Sequence, residues 1–270
     1  MDTENVETIS SRTASRVIAS LVAILMLSSV VARKVAASNE AKTSPVAPLS
    51  LDQIVGNLVT KNAERSRNLL HSEATRVYHL TYRGFPGNRE AEMMVEASYD
   101  SPVNKEFRIV SQSGSKFILD RVFAKLLEAE KESVRPEIAS QTQLNRENYE
   151  FTLVAYDAEQ GQYEMQVTPR HKSKYVYRGK IWVEATDFAV TRIEAEPAQN
   201  PSFWTKKSEV HHEYQKIQNS WLPARNQSVS YIRLGGRATL TIEYKDYRLT
   251  EAHTDVAAVC PSTAGAAPSH

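Results

Sequence analysis

His211-His212-Glu213, with His171 as a conceivable third ligand, is the grouping whose residue types first suggest metal chemistry. Its spacing argues against that chemistry. The segment reads as a strand, where successive side chains leave opposite faces, so His211 and His212 do not grip one ion together. A His-Glu-x-x-His pair, which would set two imidazoles on one helical face, does not occur. No metal ligand is expected. A glycine-rich phosphate loop and a Gly-x-Ser-x-Gly elbow are also missing from the sequence, and no nucleophile, base and orienting group stand at a telling distance. The expectation is a protein that is not an enzyme and needs no cofactor. Catalytic triads assemble in space rather than along the chain, so an envelope hydrolase is kept as a third hypothesis.

The remaining candidates are binding residues. Phe203 and Trp204, in Asn200-Pro-Ser-Phe-Trp204, are large apolar residues outside any alternating pattern. They either plug one end of a core or line the mouth of a cavity. Met93, Met94 and Met165 pose the same choice, because methionine fills irregular core gaps and also serves permissive apolar sites. Basic runs at Arg170-His-Lys-Ser-Lys174 and Lys206-Lys207 read as solvated charges at strand ends.

What positions these residues is a long succession of strands. In Tyr175–Glu184 the odd positions Tyr175, Tyr177, Ile181 and Val183 are apolar, while Arg178, Lys180 and Glu184 take the other side. Phe188–Glu196 alternates again after a short turn at Ala185-Thr186-Asp187, which predicts a hairpin. Gly235-Gly236 separates Val229–Leu234 from Arg237–Tyr244 and predicts a two-residue hairpin turn. Upstream, a strand around Tyr78, Leu80 and Tyr82 is expected to begin near Thr75. Glu90–Tyr99 and Lys105–Ser111 follow it as a meander. Two further strands are expected at Glu150–Tyr156 and Gln162–Thr168.

Two segments break the period of two. Ser50 and Gln53 stand at capping-box spacing ahead of Leu51, Ile54, Val55, Leu58 and Val59, so an amphipathic helix starts there. Ser115–Ser133 carries Phe117, Ile118, Val122, Leu126 and Leu127 at helical intervals, followed by the helix formers Glu128, Glu130, Lys131 and Glu132. Pro136 ends that helix, and residues 135–148 read as a polar connection with room for a further helical turn. The total is about ten antiparallel strands, with one helix before them and one inserted after the third. Each strand has one apolar face, so the sheet needs a partner layer or must curl around its own helices.

Composition sets outer limits. With 41% hydrophobic and 24% charged residues the body is ordinary for a globular protein. The formal charge is +1, and setting aside residues 1–37 leaves 29 basic and 29 acidic residues. A neutral body offers no footprint for nucleic acid. Residues 17–32 form an apolar run, shorter than the about 20 residues of a membrane span. With Val35-Ala36-Ala37 behind it, the run matches an export signal cut after Ala37, or else an uncleaved anchor. Residues 38–49 read as a linker, 50–250 as one domain and 251–270 as a disordered tail. Cys260 is the single cysteine, which leaves no intrachain disulfide. An export signal beside so little cysteine suits a bacterial periplasm.

The export signal, the helix ending in Asn62-Ala-Glu-Arg-Ser66, Lys180-Ile-Trp-Val-Glu184, Phe188-Ala-Val-Thr-Arg-Ile193 and Trp221-Leu-Pro-Ala-Arg225 together resemble the LolA-like outer membrane lipoprotein-sorting proteins. The resemblance covers roughly residues 51–249. It implies a mainly β fold, an incomplete and strongly curved antiparallel barrel with helices as a lid. It also implies a periplasmic, monomeric carrier that takes acyl chains of lipoproteins or other lipids from an inner membrane donor to an outer membrane acceptor. Laid on the strands, the resemblance implies an apolar cavity wall of Met93, Val95, Phe107, Ile109, Leu153, Met165, Val167, Ile181, Val183, Ile193 and Ile242. Ile54, Leu58, Val122, Leu126, Phe203 and Trp204 would form the lid or mouth. No cysteine follows the apolar run for lipid attachment, which favours a carrier over a membrane-anchored acceptor of similar fold. The second hypothesis is an envelope sensor or scaffold of the same fold that binds a membrane protein partner.

Overall fold

A computed structural model describes residues 49–102, 104–173, 175–200, 203, 205–233 and 235–252, together with the backbone of residues 30–31. The rest of the expected leader, nearly all of the linker, Trp204, Cys260 and the tail beyond Ala252 lie outside the described residues.

A two-residue strand, β1 (Val30–Val31), lies beside Ser220 and Trp221. Helix α1 (Leu51–Asn68) starts on the expected capping box: Ser50 Oγ accepts from the Gln53 N–H at 3.3 Å, and the Ser50 N–H donates to Gln53 Oε1 at 2.9 Å. Ile54, Val55 and Leu58 are its buried face. The chain passes directly from α1 into β2 (Leu69–Gly84), where the Leu69 N–H still donates to Arg65 O while its backbone is already extended. The strand therefore begins well ahead of Thr75, which corrects the expected start. β3 (Arg89–Asp100) and β4 (Asn104–Gly114) complete the first meander.

The inserted helical segment is α2 (Lys116–Ile118), a π-helical turn (Leu119–Phe123) and α3 (Ala124–Ser133). The wider turn changes the phase, so Val122 and Phe123 are both buried along with Ile118, Leu126 and Leu127. A further helix, α4 (Pro136–Thr142), occupies part of the stretch expected as polar connection, with proline at its first position. Then come β5 (Tyr149–Asp157), β6 (Gln162–Pro169), β7 (Tyr177–Glu184), β8 (Val190–Pro197), β9 (Thr205–Ile217), β10 (Ser220–Ile232) and β11 (Gly236–Glu251).

The long strands lie in the order β4-β3-β2-β11-β10-β9-β8-β7-β6-β5, and every pair of neighbours is antiparallel. The first long strand thus pairs with the last one, over a register running from Gly236–Gly84 to Glu251–Leu69. The sheet is open between β4 and β5, and α2, α3 and α4 bridge that opening. This is the expected incomplete barrel of about ten strands.

The β10–β11 connection differs from expectation. Tyr231 faces Arg237, so the turn is longer than two residues, and Gly236 belongs to β11 opposite Gly84. A Cβ on Gly84 would stand 2.5 Å from the Gly236 Cα. The second glycine serves close approach of two strands, not the turn.

The interior holds two large apolar clusters and a small third one around Leu69 and Leu222. One joins β2, β3 and β11 to Ile118, Val122, Phe123, Leu126 and Leu127. The other joins β5–β9 to Ile54, Val55 and Leu58 of α1. Between them, much of the inward face of β9 and β10 is polar: Thr205, Ser208, His212, Asn226, Ser228 and Ser230 are all buried, beside the apolar Val210, Tyr214, Leu222 and Ile232.

Candidate functional site

A cavity of about 520 Å³ opens between α1, α4 and the inner face of the sheet, where the two clusters fail to meet. That volume falls within the roughly 300–1,000 Å³ of small-ligand sites. Val59, Leu69, Val190, Ile193 and Leu222 supply apolar wall, and Trp221, Tyr214, Tyr244 and Tyr247 supply ring surface. Ala63 and Ser66, one helical turn apart on α1, are small residues facing the space.

One part of the wall is charged. Glu130 of α3, with its side chain only 3% exposed, accepts from Tyr78 Oη at 3.0 Å and from Lys105 Nζ at 3.2 Å, and pairs with the Arg76 guanidinium. Burial acts to raise the Glu130 carboxyl, but Arg76 and Lys105 outweigh it and hold the group below the usual carboxylate range. Lys105 is pushed down, chiefly by burial, with Glu130 opposing. Arg76 keeps its proton, since burial is outweighed by Glu130 beside it. Its guanidinium lies 5.4 Å from the Phe107 ring centroid and 5.1 Å from that of Tyr244. Arg76 Nε, Tyr177 Oη and Asn226 Oδ1 belong to cavity-lining residues and are buried without a hydrogen-bond partner among the described residues.

The polar seam on β9 and β10 leads away from the same wall, with Asn226 opposite His212 in register. Asn226 Nδ2 donates to Tyr244 Oη at 2.9 Å, and the Ser208 and Ser230 hydroxyls share a hydrogen bond of 2.7 Å. Thr205 Oγ1, Ser228 Oγ and both ring nitrogens of His212 have no partner among the described residues. Burial pushes the His212 imidazole down to about 4, His211 adding to the effect, so the ring is neutral near pH 7. His211 and His212 point to opposite faces, as the strand period requires.

A separate contact fixes the outer end of α1. Arg65 is buried and donates to the backbone oxygens of Asp187 at 2.6 Å and Phe188 at 2.9 Å, in the β7–β8 turn. Burial lowers its pKa to about 10. The Asp187 carboxylate in turn accepts from Trp221 Nε1 at 2.8 Å and pairs with Lys216 at 2.5 Å.

No family model matches the chain, and no curated protein matches it. Solved structures do. An outer membrane lipoprotein-sorting protein domain from Vibrio parahaemolyticus is similar at 10% identity over 71% of this chain and 90% of that one, with a TM-score of 0.35. A DUF1329 family protein from Desulfovibrio piger is similar at 14% identity over 77% of this chain and 94% of that one, also with a TM-score of 0.35. A LolA superfamily protein from Nitrosomonas europaea is similar at 10% identity over 76% of this chain and 96% of that one, with a TM-score of 0.31.

The expected cavity wall needs correction. Of its eleven residues only Ile193 lines the cavity. Met93, Val95 and Ile242 are buried in the first cluster, with Phe107 partly buried against it. Met165, Val167, Ile181 and Val183 are buried in the second, with Leu153 partly buried against it. Ile109 faces Val95 but stands on the sheet edge and is 50% exposed. Strand faces counted as cavity wall are filled by the helices that cover them. Among the lid residues, Ile54, Leu58, Val122 and Leu126 are wholly buried in core clusters, and Phe203 is 76% exposed with Arg233 over its ring. Phe203 does not line the cavity. Neither Met94 nor His171 does.

Sequence reasoning missed Arg76, Lys105 and Glu130, although each broke a pattern. Glu130 continues the four-residue spacing of Ile118, Val122 and Leu126. Arg76 sits in the inward phase of Ala74, Tyr78, Leu80 and Tyr82, and Lys105 in that of Phe107. A charge in an apolar phase was the available signal.

Proposed function

We propose that the chain is a periplasmic, non-enzymatic carrier that takes up an acyl chain of a lipoprotein or another lipid between α1 and the inner face of the open sheet, and releases it without bond making. The observation that carries this reading is the cavity of about 520 Å³ with Val59, Leu69, Val190, Ile193 and Leu222 on its wall. Each buried methylene of a ligand contributes about 0.8 kcal/mol, so an acyl chain binds firmly without an elaborate polar site. The periplasmic placement rests on the leader read from the sequence. The test is uptake of a fluorescent fatty-acyl probe. Ala63→Trp and Ser66→Trp fill the space from exposed helix positions and are expected to cut uptake at an unchanged melting temperature, while Glu92→Ala on the outer face leaves it intact. No uptake by the unaltered protein, or equal uptake by all four, would sink the reading.

A scaffold that binds a protein partner is the second reading. It is favoured by the two unpaired edge strands, where Ile109 and Val110 of β4 and Val154 and Tyr156 of β5 are exposed apolar residues on edges able to accept an added strand. Copurification with an inner membrane protein, with no lipid in native mass spectra, would select it.

A further inference from the structure

Resting on the carrier reading above, we propose that the ligand is an amphiphile with an anionic head, its carboxylate or phosphate seated against Arg76 and Lys105 and its chain running along Val59, Val190 and Ile193. Charge on the cavity wall does not balance. Arg67, Arg76 and Lys105 line the space, whereas Glu130 is the single carboxylate that does so among the described residues. Glu130 is also the one carboxylate that acts on Arg76 and on Lys105 there.

The Glu130 carboxylate is already spent. One oxygen takes the Tyr78 hydroxyl and the other takes both cations. A unit of positive charge is left over beside side chains that are only 12% and 16% exposed, Arg76 and Lys105. An uncompensated charge in so dry a place is costly, and an anion entering from the cavity removes the cost. Donors stand ready as well. Arg76 Nε is buried with no acceptor among the described residues, and Lys105 Nζ has one of its three hydrogens on Glu130. The burial-driven lowering of the Lys105 pKa fits a cation waiting for a second counterion. A neutral head would leave those donors and that charge unmatched.

The experiment is displacement of a fluorescent acyl alcohol from the full exported chain by dodecanoate, dodecyl phosphate, dodecanol and acetate. At least one of the two anionic amphiphiles is expected to compete about tenfold better than dodecanol, the size of one hydrogen bond to a charged group. Whichever of them competes better names the head. Lys105→Met leaves Arg76 and Glu130 as a neutral pair, and is expected to bring the anion-to-alcohol ratio close to one. Arg67→Ala provides a second reading of the same ratio should Lys105→Met melt early. Equal competition by dodecanol and both anions overturns the proposal but leaves the carrier reading standing. Failure of the acyl alcohol itself to bind, with no competition by any amphiphile, overturns both. Displacement by acetate overturns the amphiphile in favour of a small free anion.

Discussion

Over β2, β3 and β11 the covering helices are held from inside by charge, whereas over β5–β9 the cover is held from outside by neutral oxygens. In the first half α2, the π turn and α3 bury Ile118, Val122, Phe123, Leu126 and Leu127, and Glu130 ties them to Arg76, Lys105 and Tyr78. In the second half α1 buries Ile54, Val55 and Leu58, and Arg65 reaches two backbone oxygens of the β7–β8 turn. The difference separates two kinds of closure. Lifting α3 would part a buried carboxylate from the two cations that share it, at a cost of about 3–5 kcal/mol. Lifting α1 exposes a guanidinium and two carbonyls that water solvates at once. The second cover is therefore held by the weaker polar contact.

Breaking the first closure should have the largest effect. Glu130→Gln removes the counter-charge and is expected to lower stability by about 3–5 kcal/mol, read from chemical denaturation. A loss within about 0.5 kcal/mol, the size of an ordinary surface substitution, would show that both halves are held alike.

The seam between the halves gives the next effect. His212 has its pKa lowered from 6.5 to about 4, so between those values the unfolded chain binds a proton that the folded chain refuses. Stability present above pH 6.5 is lost as pH falls toward 4, by about 3 kcal/mol at one pKa unit per 1.36 kcal/mol. His212→Met should flatten that part of the profile. Glu130, whose pKa is lowered, adds a further loss at lower pH as it takes up a proton.

Arg65→Ala is the smallest and most selective test. Loss of its two bonds to Asp187 and Phe188 costs about 1.5–3 kcal/mol. Hydrogen exchange should quicken in Leu51–Asn68 and stay unchanged in Ala124–Ser133. Equal quickening in both would erase the contrast between the covers.

How far the sequence reached can be judged from particular residues. The capping box at Ser50 and Gln53, the alternation of β7 and β8, and the helical interruption at Ser115–Ser133 are local signals, and the structure repeats them. The pairing of β2 with β11 was not legible, because alternation states which face a strand buries and says nothing of its neighbour. For the same reason the cavity wall that the resemblance implies at Met93, Met165 and Ile181 is core instead. Their inward phase was right, but periodicity does not reveal whether the space they face is filled. The π turn escaped because one extra residue shifts the helical phase within an otherwise regular stripe. The charged part of the cavity wall was written in residues that disobeyed the pattern, Arg76, Lys105 and Glu130.

The partnership between the earliest and latest long strands also has a temporal side. Until the final sixteen residues of the sheet, Gly236–Glu251, have emerged, β2 has no neighbour on one flank and Ala238, Leu240 and Ile242 are missing beneath Phe123. Contacts that span nearly the whole chain form late and slowly. A polypeptide of this design stays loose while it is being made, because the strand that completes the open flank of its first meander is the last to be added.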